Sequence, residues 1–180
     1  MDEYKQAALK YRPERIKVLF IAESPPAYKH NQEKSYFYFE NNPRSDILFA
    51  TISKALYDIN YRKSDRNKLE LLERLKRDGY WLIDAVERPI NRIDDKITTE
   101  KERGQLIREE IPTLLLRLDK LQETGIIDPE TGIILIKKIV FNVLFTVLSQ
   151  RGFNVLNDSK IDFPKYYNDR DTISGIRKAL

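Results

Sequence analysis

The chain has 180 residues, 41% hydrophobic and 33% charged, which is the size and composition of one globular domain spanning 1–180 and excludes a disordered or fibrous chain. With no cysteine and His30 as the one histidine, disulfides, thiolate metal sites and iron–sulfur clusters are excluded, zinc lacks a ligand set, and no metal or cofactor is expected. A formal charge of +4 and a pI of about 9.1 permit a polyanionic partner; no apolar run approaches a membrane span, so a soluble, cytoplasmic protein with no membrane partner is expected.

In chain order, residues 16–22 (Ile-Lys-Val-Leu-Phe-Ile-Ala) form a near-continuous run of branched side chains, the pattern of a strand buried on both faces of a parallel sheet. Glu23-Ser24-Pro25-Pro26 ends it, because two prolines cannot continue a ladder. The loop that follows runs to Asn42, about 20 residues, a length that in a compact domain points to function or disorder. Asn42-Pro43 reads as a helix N-cap with proline in the first position, and Ile47, Leu48, Thr51, Ile52, Ala55 and Leu56 continue at helical spacing to about Ile59. Ser64 is expected to cap a charged helix that turns Leu69, Leu72 and Leu75 inward and stops at Gly79. Residues 80–86 are the second strand, with Arg88, Pro89, Asn91 and Arg92 in its exit loop. A long helix from about Thr99 carries Ile107, Ile111, Leu114, Leu115, Leu118 and Leu121 on one face, and Pro112 should kink or split it before Gly125 ends it. Residues 133–136 are the third strand; Ile139, Val140, Val143, Leu144, Val147 and Leu148 stripe a further helix closed by Gly152; residues 154–156 are the fourth strand and 171–180 a terminal helix.

This alternation predicts βαβ units with right-handed crossovers and helices on both faces of a parallel sheet, with no repeat, low-complexity tract or linker. Ligands of such sheets bind beyond the carboxyl ends of the strands, which selects Glu23 and Ser24, Asp84, Lys137 and Asp162.

These segments also carry a resemblance. Residues 18–25 (Val-Leu-Phe-Ile-Ala-Glu-Ser-Pro) are similar to the first motif of uracil-DNA glycosylases in the branch reading G-E-A-P-G, with Ala22 and Pro26 in place of its two glycines. Phe39, sixteen residues after Glu23, and the stretch 40–57 resemble the aromatic, turn and helix of the mismatch-specific and single-strand-selective branches. Residues 81–89 are similar to the second strand and exit loop of the family, with Asp84 where an asparagine reads the base edge. Asp162-Phe163-Pro164-Lys165 matches the final loop, which enters the DNA minor groove, without its histidine. Order and spacing carry the resemblance over residues 16–180, since each motif alone is short.

The uracil-DNA glycosylase superfamily implies a three-layer α/β/α fold, a four-stranded parallel sheet ordered 2-1-3-4, and a pocket for a base flipped out of DNA. Its chemistry needs an anion or positioned water near a cation-like sugar, donors for the departing base, and an aromatic floor. Glu23 and Ser24 are the catalytic candidates, Glu23 as the anion and Ser24 as a weak water ligand. Phe39, from the run 36–39, is the stacking candidate, Asp84 reads the base, and Pro25 and Asn42 complete the substrate-binding set. Ionised Asp84 offers no donor to a uracil carbonyl, which points to a base presenting an amino group or to a protonated Asp84. Arg88, Arg92, Phe163, Pro164 and Lys165, with Lys160 and Arg170, are the candidates for contacting DNA.

Structural readings stand beside these. Glu23 is equally a strand-end carboxylate bonded to backbone amides, Asp84 an aspartate paired with Arg88 or Arg92, the aromatic run a core cluster, the basic residues solvated loop charge, and His30 an exposed side chain. Three functions follow: a divergent DNA glycosylase of altered base specificity; an inactive nucleic-acid or nucleobase-binding module of the same fold; and a small-molecule α/β enzyme, for which no glycine-rich phosphate loop speaks.

Overall fold

The structure, a computed structural model, describes residues 3–28, 34–42, 46–61, 67–94, 96–165 and 169–180. Its elements are α1 (Glu3–Lys10), β1 (Val18–Ala22), α2 (Ile47–Tyr57), α3 (Lys68–Arg77), β2 (Tyr80–Asp84), β3 (Arg92–Ile93), β4 (Lys96–Ile97), α4 (Glu100–Glu109), α5 (Ile111–Glu123), β5 (Gly132–Leu135), α6 (Lys138–Gln150), β6 (Asn154–Val155) and α7 (Arg170–Ala179). Four strands form one parallel sheet in the order β2-β1-β5-β6. These are the four strands expected, in the second-first-third-fourth arrangement, with helices around them in a three-layer α/β/α fold. Among the described residues no helix is long and apolar enough to cross a membrane.

β1 explains its own sequence. It lies between β2 and β5, with Val18 level with both Tyr80 and Gly132, and all five of its residues are buried. A strand paired on both edges and covered on both faces has no use for polar side chains. Beyond the last residues of β1 and β2 the ladder continues, Ala85 N–H donating to Ala22 C=O (2.8 Å) and Val86 N–H to Glu23 C=O (3.1 Å). Gly79 turns α3 into β2 at φ +82°, where a Cβ would come within 3.0 Å of the Lys17 side chain.

β2 is an outer strand, and its open edge is closed by side chains. The Tyr38 hydroxyl donates to Leu82 C=O (2.9 Å) and accepts from Leu82 N–H (2.7 Å), which satisfies both backbone groups of a residue that lacks a neighbouring strand there. One residue away, the Trp81 indole N–H donates to Ala8 C=O of α1 (3.0 Å). At the other end of the sheet the buried Asn157 amide does the same for Leu135, accepting from its N–H (2.9 Å) and donating to its C=O (3.3 Å).

Pro112 splits the long helix: α4 ends at Glu109 and α5 begins at Ile111, with the proline in its first turn, where a missing N–H is tolerated. Thr99 caps α4 in a reciprocal box with Glu102. Four expectations are corrected. The N-cap of α2 is Asp46, whose side chain accepts from Phe49 N–H (3.0 Å), and not Asn42. Leu69 is 44% exposed, and Leu71 joins Leu72 and Leu75 in the core. α1 and the β3-β4 hairpin were not expected at all; the first is a short helix with no cap signal, and the second has two-residue strands too brief for a visible alternation. Pro43, Ser64 and His30 lie outside the described residues.

Asp46 is also the anchor of the loop before α2. Its second carboxylate oxygen accepts from Asn42 Nδ2 and from Lys68 Nζ, both at 2.9 Å. Lys68 is 2% exposed, and burial pulls its ammonium below its ordinary pKa while Asp46 acts in the opposite direction. Removing one member of such a pair leaves a buried charge unpaired. Lys68→Met should therefore cost about 3 kcal/mol in urea denaturation, and adding Asp46→Asn, which keeps a capping oxygen, should recover most of that loss. Equal stability of the single and double variants would show that the pair does not anchor this loop.

Candidate functional site

The carboxyl ends of β1, β2 and β5 deliver their side chains into one cavity of about 350 Å³. Glu23, Ser24 and Pro25 enter from β1, Asp84 from β2 and Lys137 from β5, with Phe163 arriving from the segment after β6. Tyr28, Tyr36, Phe37, Ile47, Leu48 and Leu82 supply the flat and apolar parts of the wall. Asn91, at the root of the β3-β4 hairpin, lines the cavity and accepts from Ala27 N–H (2.8 Å), which fixes the loop leaving β1.

Glu23 is 7% exposed and held between two cations. Arg103 Nε of α4 donates to Oε1 at 2.8 Å, and the Lys137 ammonium pairs with Oε2. Arg103 is itself fixed by donating to Thr98 C=O (2.5 Å), so the hairpin and α4 together aim it. Lys137 adopts φ +86°, and its ammonium also stands 5.7 Å from the centre of the Phe163 ring. A lysine in the left-handed region carries strain on the order of 1–3 kcal/mol, and here backbone and side chain are both tied, the backbone N–H to Ile161 C=O (2.9 Å).

Asp84 is 8% exposed, and among the described residues no such cation donates to its carboxylate. Tyr36 donates its hydroxyl to Oδ2 at 3.2 Å, while Arg117 donates to the Asp84 and Ala85 carbonyls at 3.0 and 2.9 Å. Burial pushes the carboxyl up to about 7; the Tyr36 bond and Arg117 oppose this, and the negative charges of Glu23 and Glu87 add to it. Near neutral pH Asp84 is thus a donor for part of the time.

The structure gathers Glu23, Ser24, Pro25, Asp84 and Phe163 around one cavity and places other candidates elsewhere. Phe39 does not line the cavity but stacks on Tyr4 (5.7 Å between ring centres, 11° between planes), and Tyr36 and Phe37 of the same run line it instead. The run forms a turn, closed by Phe39 N–H to Tyr36 C=O (3.0 Å), so its side chains do not alternate as they would in a strand. Asn42 does not line the cavity; its amide accepts from Tyr36 N–H (3.0 Å) and donates to Tyr36 C=O (2.9 Å). Among the described residues Glu23 meets side-chain cations and not backbone amides, and Asp84 meets Tyr36 and not Arg88 or Arg92. Arg88 approaches Glu110 at 3.9 Å, and Arg92 begins β3. Pro164 is buried, whereas Lys160, Lys165 and Arg170 are exposed. Arg103 carried no signal in the sequence, since it sits among acids on a charged helix eighty residues from Glu23; Lys137 was signalled by its place after a strand. Among the described residues no cluster of three metal-ligating side chains occurs.

No family model matches the chain, and comparisons with curated proteins and with solved structures give no match.

The Asp84 geometry predicts a pH-dependent stability. A carboxyl raised from 3.8 to about 7 keeps its proton in the folded chain and loses it first in the unfolded chain, so the folded state is progressively destabilised from about pH 4 to 7 and the loss then levels off. The penalty for burying the ionised form is on the order of 4 kcal/mol at most. Asp84→Asn should melt together with the wild type near pH 4 and several degrees above it at pH 8. A melting difference that does not change with pH would remove the raised carboxyl.

Proposed function

We propose that the chain binds DNA and receives an extruded base in the strand-end cavity, as a divergent relative of the uracil-DNA glycosylases. The observation that carries this reading is the convergence of Glu23, Ser24, Pro25, Asp84 and Phe163, from three separate segments, on one cavity with the aromatic walls Tyr36 and Phe37. Aromatic rings give an unstacked base a surface of about 1–3 kcal/mol per base. A protonated Asp84 donates to a base carbonyl and an ionised one accepts from an amino group, so the base preferred should change with pH around 7.

Hydrolysis of an N-glycosidic bond adds water to the anomeric carbon, while the base leaves with the bonding electrons and takes up a proton. In this reading Glu23 faces the sugar cation, with Ser24 beside it for the water. Lys137 offers a positive charge for the electrons collecting on the departing base, the task that the resemblance gives to the absent histidine.

The second reading is a module that holds the base without cutting it. It is favoured by the ion pairs of Glu23 with Arg103 and Lys137, because a carboxylate already neutralised by two cations stabilises a sugar cation less. Single-turnover release from duplexes and single strands carrying uracil, hypoxanthine, xanthine or mismatches, with binding measured in parallel, separates the two. Under the enzyme reading, wild type is slow, and Glu23→Gln and Lys137→Met each lose on the order of 10²–10³ in rate. Binding without release by any variant selects the module. Affinity in both cases should fall with salt by a slope of about −0.9 per duplex phosphate contacted, and an affinity flat from low to moderate salt would end the nucleic-acid reading.

A further inference from the structure

A second cavity, of about 390 Å³, opens along the β2 edge of the sheet. Ala8 and Leu9 of α1, Trp81 and Ile83 of β2, and Leu121 and Ile126 at the end of α5 give it apolar walls. It meets the strand-end cavity at Pro25, Tyr36 and Asp84, which line both. Its charged rim is unbalanced. Lys5, Arg12, Arg117 and Lys120 border it, against Glu87 and the partly protonated Asp84. Glu87 is shared between Lys5 at 3.2 Å and Arg117 at 3.4 Å, and among the described residues no carboxylate pairs with Arg12 or Lys120.

An apolar chamber needs an apolar occupant, and a rim with surplus positive charge raises the local concentration of anions. We infer that this cavity binds a small amphipathic anion, an aromatic or aliphatic carboxylate whose apolar body lies against Trp81 and Leu121 and whose head sits in the field of the four cations. A neutral ligand leaves the surplus charge unused, and an amphipathic cation is repelled by it. The inference does not depend on what the strand-end cavity binds.

Trp81 is the one tryptophan of the chain and lines this cavity and not the strand-end one, so its emission is a local reporter here. The probe is 8-anilinonaphthalene-1-sulfonate, an apolar ring system with a fixed negative charge, titrated into the full chain while Trp81 emission is followed. One-to-one saturation with quenching of Trp81 is expected, with displacement by decanoate and not by decylamine. The double charge reversal Arg12→Glu/Lys120→Glu should weaken binding by at least about tenfold. Lys178→Glu, an equal reversal at an exposed position of α7, should leave it unchanged. Ala8→Leu, which fills the chamber from the α1 side, should weaken it without altering surface charge. Unsaturable binding, equal displacement by the amine, or wild-type affinity in both the double reversal and Ala8→Leu would overturn the inference.

Discussion

Two carboxylates lie buried side by side at the carboxyl ends of neighbouring parallel strands, and the fold has to accommodate both. The register fixes their proximity: Ala22 is level with Asp84, and Glu23 is the next residue along β1. Ionising both in a water-poor setting would cost several kcal/mol, and the chain resolves this asymmetrically. Glu23 receives two cations from elements far away in sequence, while Asp84 receives a tyrosine hydroxyl and keeps its proton up to about 7. One carboxylate is therefore ion-paired and the other a switchable donor. That division of roles is a recurring mark of sites whose neighbouring acids serve different ends.

The covering of the sheet edge and the shaping of the cavity are one construction. Tyr38 closes the backbone of Leu82, and Tyr36, two residues earlier, reaches Asp84. Tyr4 of α1 packs edge-on against Tyr36 at 4.9 Å between ring centres and donates its hydroxyl to Pro26 C=O (3.1 Å). The aromatic run is held in place by Asn42 and Asp46, and Asp46 by Lys68. A wall built from large rings with few rotatable bonds is pre-organised, so a ligand entering the cavity need not order it.

The main strands and helices were readable because each writes its pattern over consecutive residues. The run at 16–22 announced a central strand, the glycines at 79, 125 and 152 marked helix ends at positive φ, and Pro112 marked a break. The convergence of the strand ends was readable from topology alone, which is why Glu23, Asp84 and Lys137, which line one cavity, were selected together. What failed to show were partnerships between distant residues and short irregular elements. Arg103 looks like any charge on a solvated helix until the crossover brings α4 over the end of β1. The choice between Phe39 and Tyr36 depends on a tight turn inside an aromatic run, and no periodicity encodes a turn. Asn42 offered cap chemistry four residues before Asp46, the cap that α2 uses, and its amide went to the backbone of Tyr36 instead.

Lys137 shows how the strand-end geometry sets a positive charge at the cavity. Its φ of +86° is costly for a residue with a side chain, and α6 begins immediately after it without a side-chain cap. A capping serine or aspartate here would be the ordinary solution; the chain places an ammonium there instead, beside the positive end of a helix dipole. Such an arrangement is destabilising by itself, and it is tolerated because Glu23 and the Phe163 ring receive the ammonium. Together with Arg103, Lys137 holds the Glu23 carboxylate between two cations. Among the described residues neither of these cations donates to the Asp84 carboxylate, and burial raises that carboxyl to about 7.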